Sequence, residues 1–345
     1  MSVGVKDVAA AAGVSVGTVS NVLNRPERVS SATVQRVQTA IERLGFVRND
    51  AARQLRAGRS RSIGLVVADV GNPFFAEIVR GAEDRAAEAG MTVLLGNSDE
   101  AVERQNSHLA LFLEQRVNGV LVTPASEDLT RLHALSAAGV PVILVDREGS
   151  DDSFPSVSVD DVEGGRLAAE HLLQSGRRRL AFVCGPRSVR QVADRLTGAR
   201  SAVAEYPDAG IEIIERPALT VLQGRSAGEE IVARDAALRP DAVFAANDLL
   251  AVGLLQAFSF GSGVDVPDDI ALIGYDDIDF ASATVVPLSS VRQPARLIGW
   301  TGVDLLLKEM ADGGEHERQV RFRPELVVRE SSATESGARV HEQGG

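Results

Sequence analysis

The apolar positions along the chain change their period near residue 60. Before it they recur at helical spacing; after it they come as short solid runs separated by amphipathic stretches. In the first part Val5-Lys6-Asp7-Val8-Ala9-Ala10-Ala11-Ala12 reads as a short helix, Gly13-Val14 as a turn and Ser15 to Asn24 as a second helix. Ser15 is a good N-cap, because its hydroxyl can accept from a free first-turn N–H. Gly13 can supply the positive φ that ends the helix before it. Val19, Val22 and Leu23 give the second helix its inward face. Ser30 or Ser31 caps a third helix with Val34, Val37, Ile41 and Leu44 on its core face, and Gly45 ends it.

From Ser62 the runs change character. Ile63-Gly64-Leu65-Val66-Val67 suits a strand buried on both faces. Further strands are expected at 92–95, 119–122, 140–145, 180–184, 241–245 and 270–275, with helices over 74–89, 104–115 and 125–138. Repeated strand–helix units predict parallel sheets with helices on both faces, and two successive sets predict two similar lobes.

The second helix has an unusual outward face. Val16, Gly17, Thr18 and Asn21 are short, where a solvated helix would carry Lys and Glu. Asn can read adenine, Thr can bond in either sense, and Val can meet a thymine methyl. Gly17 costs about 1 kcal/mol relative to Ala but lets the backbone approach a groove. Helix, Gly-containing turn, helix is the outline of a DNA-binding helix-turn-helix; the alternative is a small bundle that binds nothing.

Charge first argues against DNA and then for it. The net charge is -12, but residues 1–60 hold nine Lys and Arg against four acidic residues, or +5, leaving −17 on the rest. A basic module on an acidic body fits a DNA binder, because phosphate neutralisation dominates affinity. Arg25, Arg28, Arg36 and Arg48 are candidates for phosphate contacts that position without reading sequence. A chain of 345 residues predicts two or three domains. Its single cysteine, Cys184, allows no internal disulfide. No N-terminal signal and no apolar run of about 18 residues is present, so a cytoplasmic protein without a membrane span is expected. No Cys/His spacing suggests zinc and no glycine fingerprint follows a strand, so no cofactor or metal is expected.

Ligands of open parallel sheets bind outside the carboxyl ends of the strands. There stand Phe74 and Phe75, Asp146 and Arg147, Arg190 and Arg195, Asn247 and Asp248, Asp276 and Asp277. Carboxylates accept from hydroxyls, Arg and Asn donate, and a ring packs on the C–H face of a sugar, so the set suits a polyhydroxylated ligand. Each alone is equally a helix cap; converging, they predict a pocket. Gly224-Arg225-Ser226-Ala227-Gly228 matches a nucleophile elbow. Only His316 and His341 lie downstream as bases, so Ser226 is expected at a helix start and no enzyme is predicted.

Val5-Lys6-Asp7-Val8-Ala9, Thr18 through Asn24, Leu44-Gly45-Phe46 and Ala51-Ala52-Arg53-Gln54-Leu55-Arg56 resemble the opening of the lactose-repressor family of bacterial transcription regulators. Asn72-Pro73-Phe74-Phe75, Asp160 with Gly164-Gly165, Ala246-Asn247-Asp248 and Ile273-Gly274-Tyr275-Asp276-Asp277 extend the resemblance toward residue 330. It implies an N-terminal all-α helix-turn-helix domain and an α/β periplasmic-binding-protein-like (type I) effector domain of two doubly wound lobes joined by three crossovers. The expected divisions are a DNA-binding domain at 1–48, a hinge helix and linker at 49–61, an effector domain at 62–333 and a disordered tail at 334–345. Lobe 1 would be about 62–159 and 291–319, and lobe 2 about 160–290 and 320–333. On DNA the hinge helix would pair with its dimer mate and wedge Leu55 into the minor groove. The DNA-facing set is then Ser15, Val16, Gly17, Thr18, Ser20, Asn21, Asn24, Arg53 and Leu55. The effector-facing set is Phe74, Phe75, Asp146, Arg147, Arg195, Asn247 and Asp276. A purine-binding relative has Trp where this chain has Arg147, and an aromatic stacking residue where it has Leu219-Thr220; both departures favour a sugar. The chain thus reads as a homodimeric DNA-binding regulator, a repressor of operator DNA controlled by a small effector. The alternatives are a solute-binding protein and a purine- or nucleoside-responsive regulator of the same family.

Overall fold

Gly13 and Gly45 stand at φ of 65° and 59°, and each ends a helix. They frame the first of two units, 1–60 and 61–345, into which the chain divides. The computed structural model describes residues 3–46, 60–149, 153–259, 263–311 and 317–333, with the backbone of 312. Arg48 of the expected DNA-binding domain, Arg53 and Leu55 of the expected hinge, His316, and the tail at 334–345 with His341 lie outside the described residues.

The first unit holds α1 (Val5–Ala12), α2 (Val16–Asn24) and α3 (Ser31–Leu44). Ser15 Oγ accepts from the Thr18 N–H at 3.0 Å, the expected cap. The Gly4 N–H donates to Asp7 Oδ2 at 2.8 Å and closes the start of α1. Val8, Val19 and Val37 are fully buried at the centre, ringed by Ala9, Ala12, Val22, Ala40 and Phe46. Burying such a side chain contributes about 1.5–3 kcal/mol. Val34, Ile41 and Leu44 are only half-buried, because the heart of the α3 face falls on Val37 and Ala40. A 3₁₀ turn, Pro26–Arg28, joins α2 to α3; Pro26 fixes the φ that such a turn needs. Ser30 is the α3 N-cap, but its hydroxyl donates to Thr33 Oγ1 at 3.0 Å rather than capping a backbone N–H.

The second unit contains two six-stranded sheets. The first is built from β1 (Ser62–Val67), β2 (Thr92–Asn97), β3 (Val120–Val122), β4 (Val142–Val145), β5 (Ser156–Val159) and β11 (Gln319–Phe322). Its order is β11-β5-β4-β3-β1-β2, parallel throughout. The second takes β6 (Arg179–Cys184), β7 (Gly210–Glu215), β8 (Ala242–Ala245), β9 (Ala271–Asp276), β10 (Ser289–Arg292) and β12 (Glu325–Val327). Its order, β12-β10-β9-β8-β6-β7, repeats the first, except that β12 runs antiparallel to β10. The fold is thus two doubly wound lobes, and the chain crosses between their sheets after β5, after β10 and after β11.

Helices α4 (Pro73–Glu88), α5 (Val102–Glu114), α6 (Thr130–Ala137) and α11 (Ala295–Asp312) accompany the first sheet. Helices α7 (Asp161–Gln174), α8 (Arg190–Val203), α9 (Val221–Val232) and α10 (Asp248–Ser259) accompany the second. The solid runs are buried as expected: Ile63, Leu65, Val66 and Val67 are all at 0% exposure. Among the described residues no helix is long and apolar enough to cross a membrane.

Three expectations need correction. The expected lobe limits cut through two strands: Val291 and Arg292 belong to β10 in the second sheet, and Val320 to Phe322 belong to β11 in the first. Short edge strands such as Gln-Val-Arg-Phe carry too little apolar pattern to be placed from sequence. The helix expected from Ala125 begins instead at Thr130 with Leu129 as its N-cap, and Asp128 Oδ1 just before it accepts from the Thr130 N–H at 2.9 Å. Ser126 and Glu127 form a loop before it. Ser226 lies inside α9, not at its start, with Thr220 as the N-cap. Its flanking glycines serve packing. A Cβ on Gly224 would stand 2.1 Å from the Leu250 carbonyl oxygen, and one on Gly253 would stand 2.0 Å from that of Val221, so α9 and α10 touch backbone to backbone.

Candidate functional site

The outward face of α2 is exposed as its sequence requires. Ser15, Val16, Gly17, Ser20, Asn21 and Asn24 are exposed, and Val16 stands 44% open although apolar. Thr18 is half-buried, with Oγ1 bonded to Ser15 Oγ at 2.9 Å. Asn24 turns its amide back on its own helix, donating to the Ser20 carbonyl at 2.8 Å.

A cavity of about 460 Å³ opens between the lobes at the carboxyl ends of the strands. All seven residues of the expected effector set line it: Phe74, Phe75, Asp146, Arg147, Arg195, Asn247 and Asp276. Asp146 follows β4 and Asp276 ends β9, the equivalent strand of the other sheet. Both adopt positive φ, 58° and 103°. This strained conformation turns each side chain out of the strand line, and such strain collects at ligand sites.

Arg195 is held from three sides. Its Nε donates to Asp161 Oδ1 at 2.8 Å, a terminal nitrogen donates to the Ala246 carbonyl at 2.7 Å, and the guanidinium carbon lies 3.7 Å over the Tyr275 ring. Burial works against its charge, but Asp161, Tyr275 and Asp276 outweigh burial and raise its pKa. Arg147 donates to the Ser126 carbonyl at 2.7 Å and to Glu127 Oε2 at 2.5 Å, which pins the β3–α6 loop.

Burial raises Asp146 well above the usual carboxylate range, with Asp161 adding and Arg195 opposing. Burial likewise pushes Asp276 up to about 6, against the opposing charge of Arg195. Asp276 Oδ1 accepts from Gln293 Nε2 at 2.8 Å and Oδ2 from Asn72 Nδ2 at 3.2 Å. Phe74 and Phe75 meet edge to face, centroids 5.1 Å apart, and form one apolar wall. Three buried polar atoms of lining residues have no partner within the protein: Thr123 Oγ1, Asp146 Oδ1 and Arg147 Nε.

The remaining strand-end candidates divide. Asn247 caps α10, its Oδ1 accepting from the Leu250 N–H at 2.9 Å, while Nδ2 donates to the Leu219 carbonyl at 3.2 Å. Arg190 lies on the rim, bonded to Asp194 at 3.1 Å. Asp248 and Asp277 leave the set. Asp248 is fully buried against Ser290 and the Ile278 N–H, and Asp277 pairs with Arg292 and Arg329. They pin the turn after β9.

Sequence reasoning missed Thr123, Gln191, Asp161 and Gln293. Thr123 directly follows the third strand and was legible by the strand-end rule. The other three lie on or before helices and act across elements, where no local pattern marks them.

The chain matches the family described as bacterial regulatory proteins, lacI family, over residues 4–49, and a periplasmic binding protein-like domain over 169–332. It is 33% identical to the HTH-type transcriptional repressor PurR of Photobacterium profundum, covering 95% of this chain and 98% of that one. It is 32% identical to the ribose operon repressor of Escherichia coli (strain K12), covering 95% and 99%. Among solved structures it is similar to the lac repressor dimer bound to operator and the anti-inducer ONPF: TM-score 0.81, 29% identity, 97% of this chain and 100% of that one. It is also similar to a LacI family regulator from Enterococcus faecium with bound ribose: TM-score 0.71, 28% identity, 79% and 98%. With a matching helix-turn-helix unit, a matching effector fold and relatives aligned along nearly the whole chain, the protein belongs to the lacI family of DNA-binding bacterial transcription regulators.

Proposed function

We propose that this regulator is a repressor that works as a homodimer, each α2 reading half of an approximately palindromic operator. A neutral, unphosphorylated sugar in the interlobe cavity sets its grip on DNA. The repressor names of its relatives and the dimeric operator complex of its structural neighbour support the first statement. Ser15, Val16, Gly17, Thr18, Ser20, Asn21 and Asn24 are the proposed DNA-facing residues of α2. Arg53 and Leu55 stay in the set on resemblance alone; Leu55→Ala is expected to weaken operator binding and leave sugar binding intact.

The observation that carries the sugar is the pairing of charges around the cavity. Arg195 is neutralised by Asp161, Arg147 by Glu127 and Arg190 by Asp194. Among the described residues of the lining, a phosphate or carboxylate ligand would meet no uncommitted cation and would face Asp146 and Asp276. The carboxylates and amide of the lining suit hydroxyls instead, and the Phe74–Phe75 wall suits the C–H face of a sugar. Thr123 Oγ1, Asp146 Oδ1 and Arg147 Nε are buried without a protein partner, and a ligand that drew them into bonding would recover about 1–3 kcal/mol for each. The ribose in the Enterococcus faecium neighbour is a sugar of this kind. The similarity to PurR keeps a purine as the second reading. Leu219 and Arg147 in the lining give a flat base no ring to stack on besides the Phe74–Phe75 pair.

Thermal stabilisation of the full chain against sugars, sugar phosphates, nucleosides and purines tests this. A ligand at 100 times its dissociation constant adds about 2.7 kcal/mol. A neutral sugar hit, lost in Asp146→Ala, supports the reading. A purine or sugar-phosphate hit overturns it.

A further inference from the structure

We propose that Gln191 is a positioning residue of the cavity. Its amide crosses from the second lobe to fix the Asp146 carboxylate of the first, so that lobe closure and the aim of Asp146 become one event. Gln191 Nε2 donates to the Asp146 carbonyl at 2.5 Å and to Oδ2 at 3.0 Å. This contact is the mirror of another. Asn72, which caps α4 in the first lobe, donates to Asp276 Oδ2 of the second at 3.2 Å. Each lobe therefore sends a neutral amide into the strand-end aspartate of the other, at topologically equivalent strands β4 and β9.

Three facts separate Gln191 from ordinary interlobe packing. It bonds the side chain and the backbone of the same residue, so it fixes the carboxylate against its own strained φ of 58°. It occupies Oδ2 and leaves Oδ1 buried and without a protein partner, in a residue that lines the cavity. And it is uncharged. An Arg or Lys in its place would pair with the carboxylate and weaken it as an acceptor, whereas an amide orients it without adding a charge. The clasp uses only groups of this chain, so it sets how the lobes meet whatever ligand is bound. The sugar assignment above enters only the affinity arm of the test.

Two variants of the full chain separate donation from shape. Gln191→Glu keeps the outline but replaces the donor with a second carboxylate facing Asp146; Gln191→Leu removes the whole amide, donor and acceptor, without adding a charge. Gln191 is half-buried, so both variants are expected to fold, which a thermal scan verifies. Hydrogen exchange without ligand reads the clasp: amides of 123–128 and 186–190, the two facing rims, should exchange about tenfold faster in both variants, and fastest in the Glu variant. D-ribose, titrated as the probe, should bind at least about tenfold more weakly to both. A Glu variant with wild-type exchange overturns the proposal, because shape alone would then suffice. Faster exchange with unchanged ribose affinity also overturns it, since Asp146 would be aimed without Gln191. If ribose binds none of the proteins, wild type included, the ribose choice fails and the exchange result alone decides.

Discussion

Asn72 and Asp276 lie 204 residues apart in the chain and are joined by a hydrogen bond, Nδ2 to Oδ2 at 3.2 Å. Asn72 caps the first helix of one lobe through Oδ1, which accepts from the Phe74 N–H at 3.0 Å. Asp276 ends the equivalent strand of the other lobe. One side chain thus finishes a helix and spans the cleft. Asp276→Ala strands two buried amide donors, Asn72 and Gln293, at about 1–3 kcal/mol each. The expected outcome is a melting temperature lower by several degrees together with loss of sugar stabilisation. An unchanged melting temperature would show that this bond does not tie the lobes.

Acidity acts on the same residue with a definite sign. Burial raises Asp276 to about 6, above its unfolded value, so its contribution to stability is present at low pH and is lost as pH rises through 6. Asp276→Asn removes the proton. Gln293 can accommodate it, since its buried Oε1 has no partner and can accept from the new amide once the side chain turns. The variant is expected to melt above wild type at pH 7 to 8, and the gap should narrow as pH falls from about 7 toward 4, across the span between the folded and unfolded pKa values. His171, whose pKa burial lowers, is common to both proteins and cancels in the difference. A gap independent of pH would remove Asp276 as the titrating group.

Gly165 places Arg195. A Cβ there would lie 1.9 Å from the Arg195 carbonyl oxygen, and one on Gly198 would lie 1.8 Å from that of Val162, so α7 and α8 are in backbone contact. Gly165→Ala must push α8 away. Overpacking of this kind costs about 1–3 kcal/mol. The expected result is a destabilised protein whose sugar affinity falls as well, because Arg195 moves with its helix. Calorimetric titration at a temperature well below the melting point separates the two effects.

Asn21 and Asn24 should differ on DNA. Asn24 spends its amide on the Ser20 carbonyl, whereas Asn21 is exposed on the central turn of α2. Asn21→Ala is expected to relax base preference at one position per half-site, worth about 1–3 kcal/mol of discrimination. Asn24→Ala should chiefly loosen the end of the helix. Binding to a randomised operator library distinguishes them, and an unchanged preference at every position would take Asn21 out of the reading set.

The helix-turn-helix was legible because it is local: Ser15 as cap, Gly13 and Gly45 as stops, and Val19 and Val37 buried where the period put them. The strand ends were legible too, since apolar runs such as 63–67 stop at the layer boundary and the next residue faces the cleft. That is why the whole expected effector set lines one cavity. Asp248 and Asp277 shared the same sequence signal and were misplaced, because strand-end position does not say which way a side chain turns.

By itself, then, the sequence determined the helix-turn-helix, the central buried strands with the parallel character of their sheets, and the chemistry available at the strand ends, all of which depend on spacing and on neighbours a few residues away. Only the tertiary structure decided which of those groups remain available. The chain crosses between the lobes three times, which brings Gln191 to Asp146 and Asn72 to Asp276, while the packing of α7 on α8 within the second lobe brings Asp161 to Arg195. Those pairings commit some donors and charges and leave Thr123 Oγ1, Asp146 Oδ1 and Arg147 Nε uncommitted. Such an outcome is a property of distances across the fold, and no periodicity along the chain encodes it.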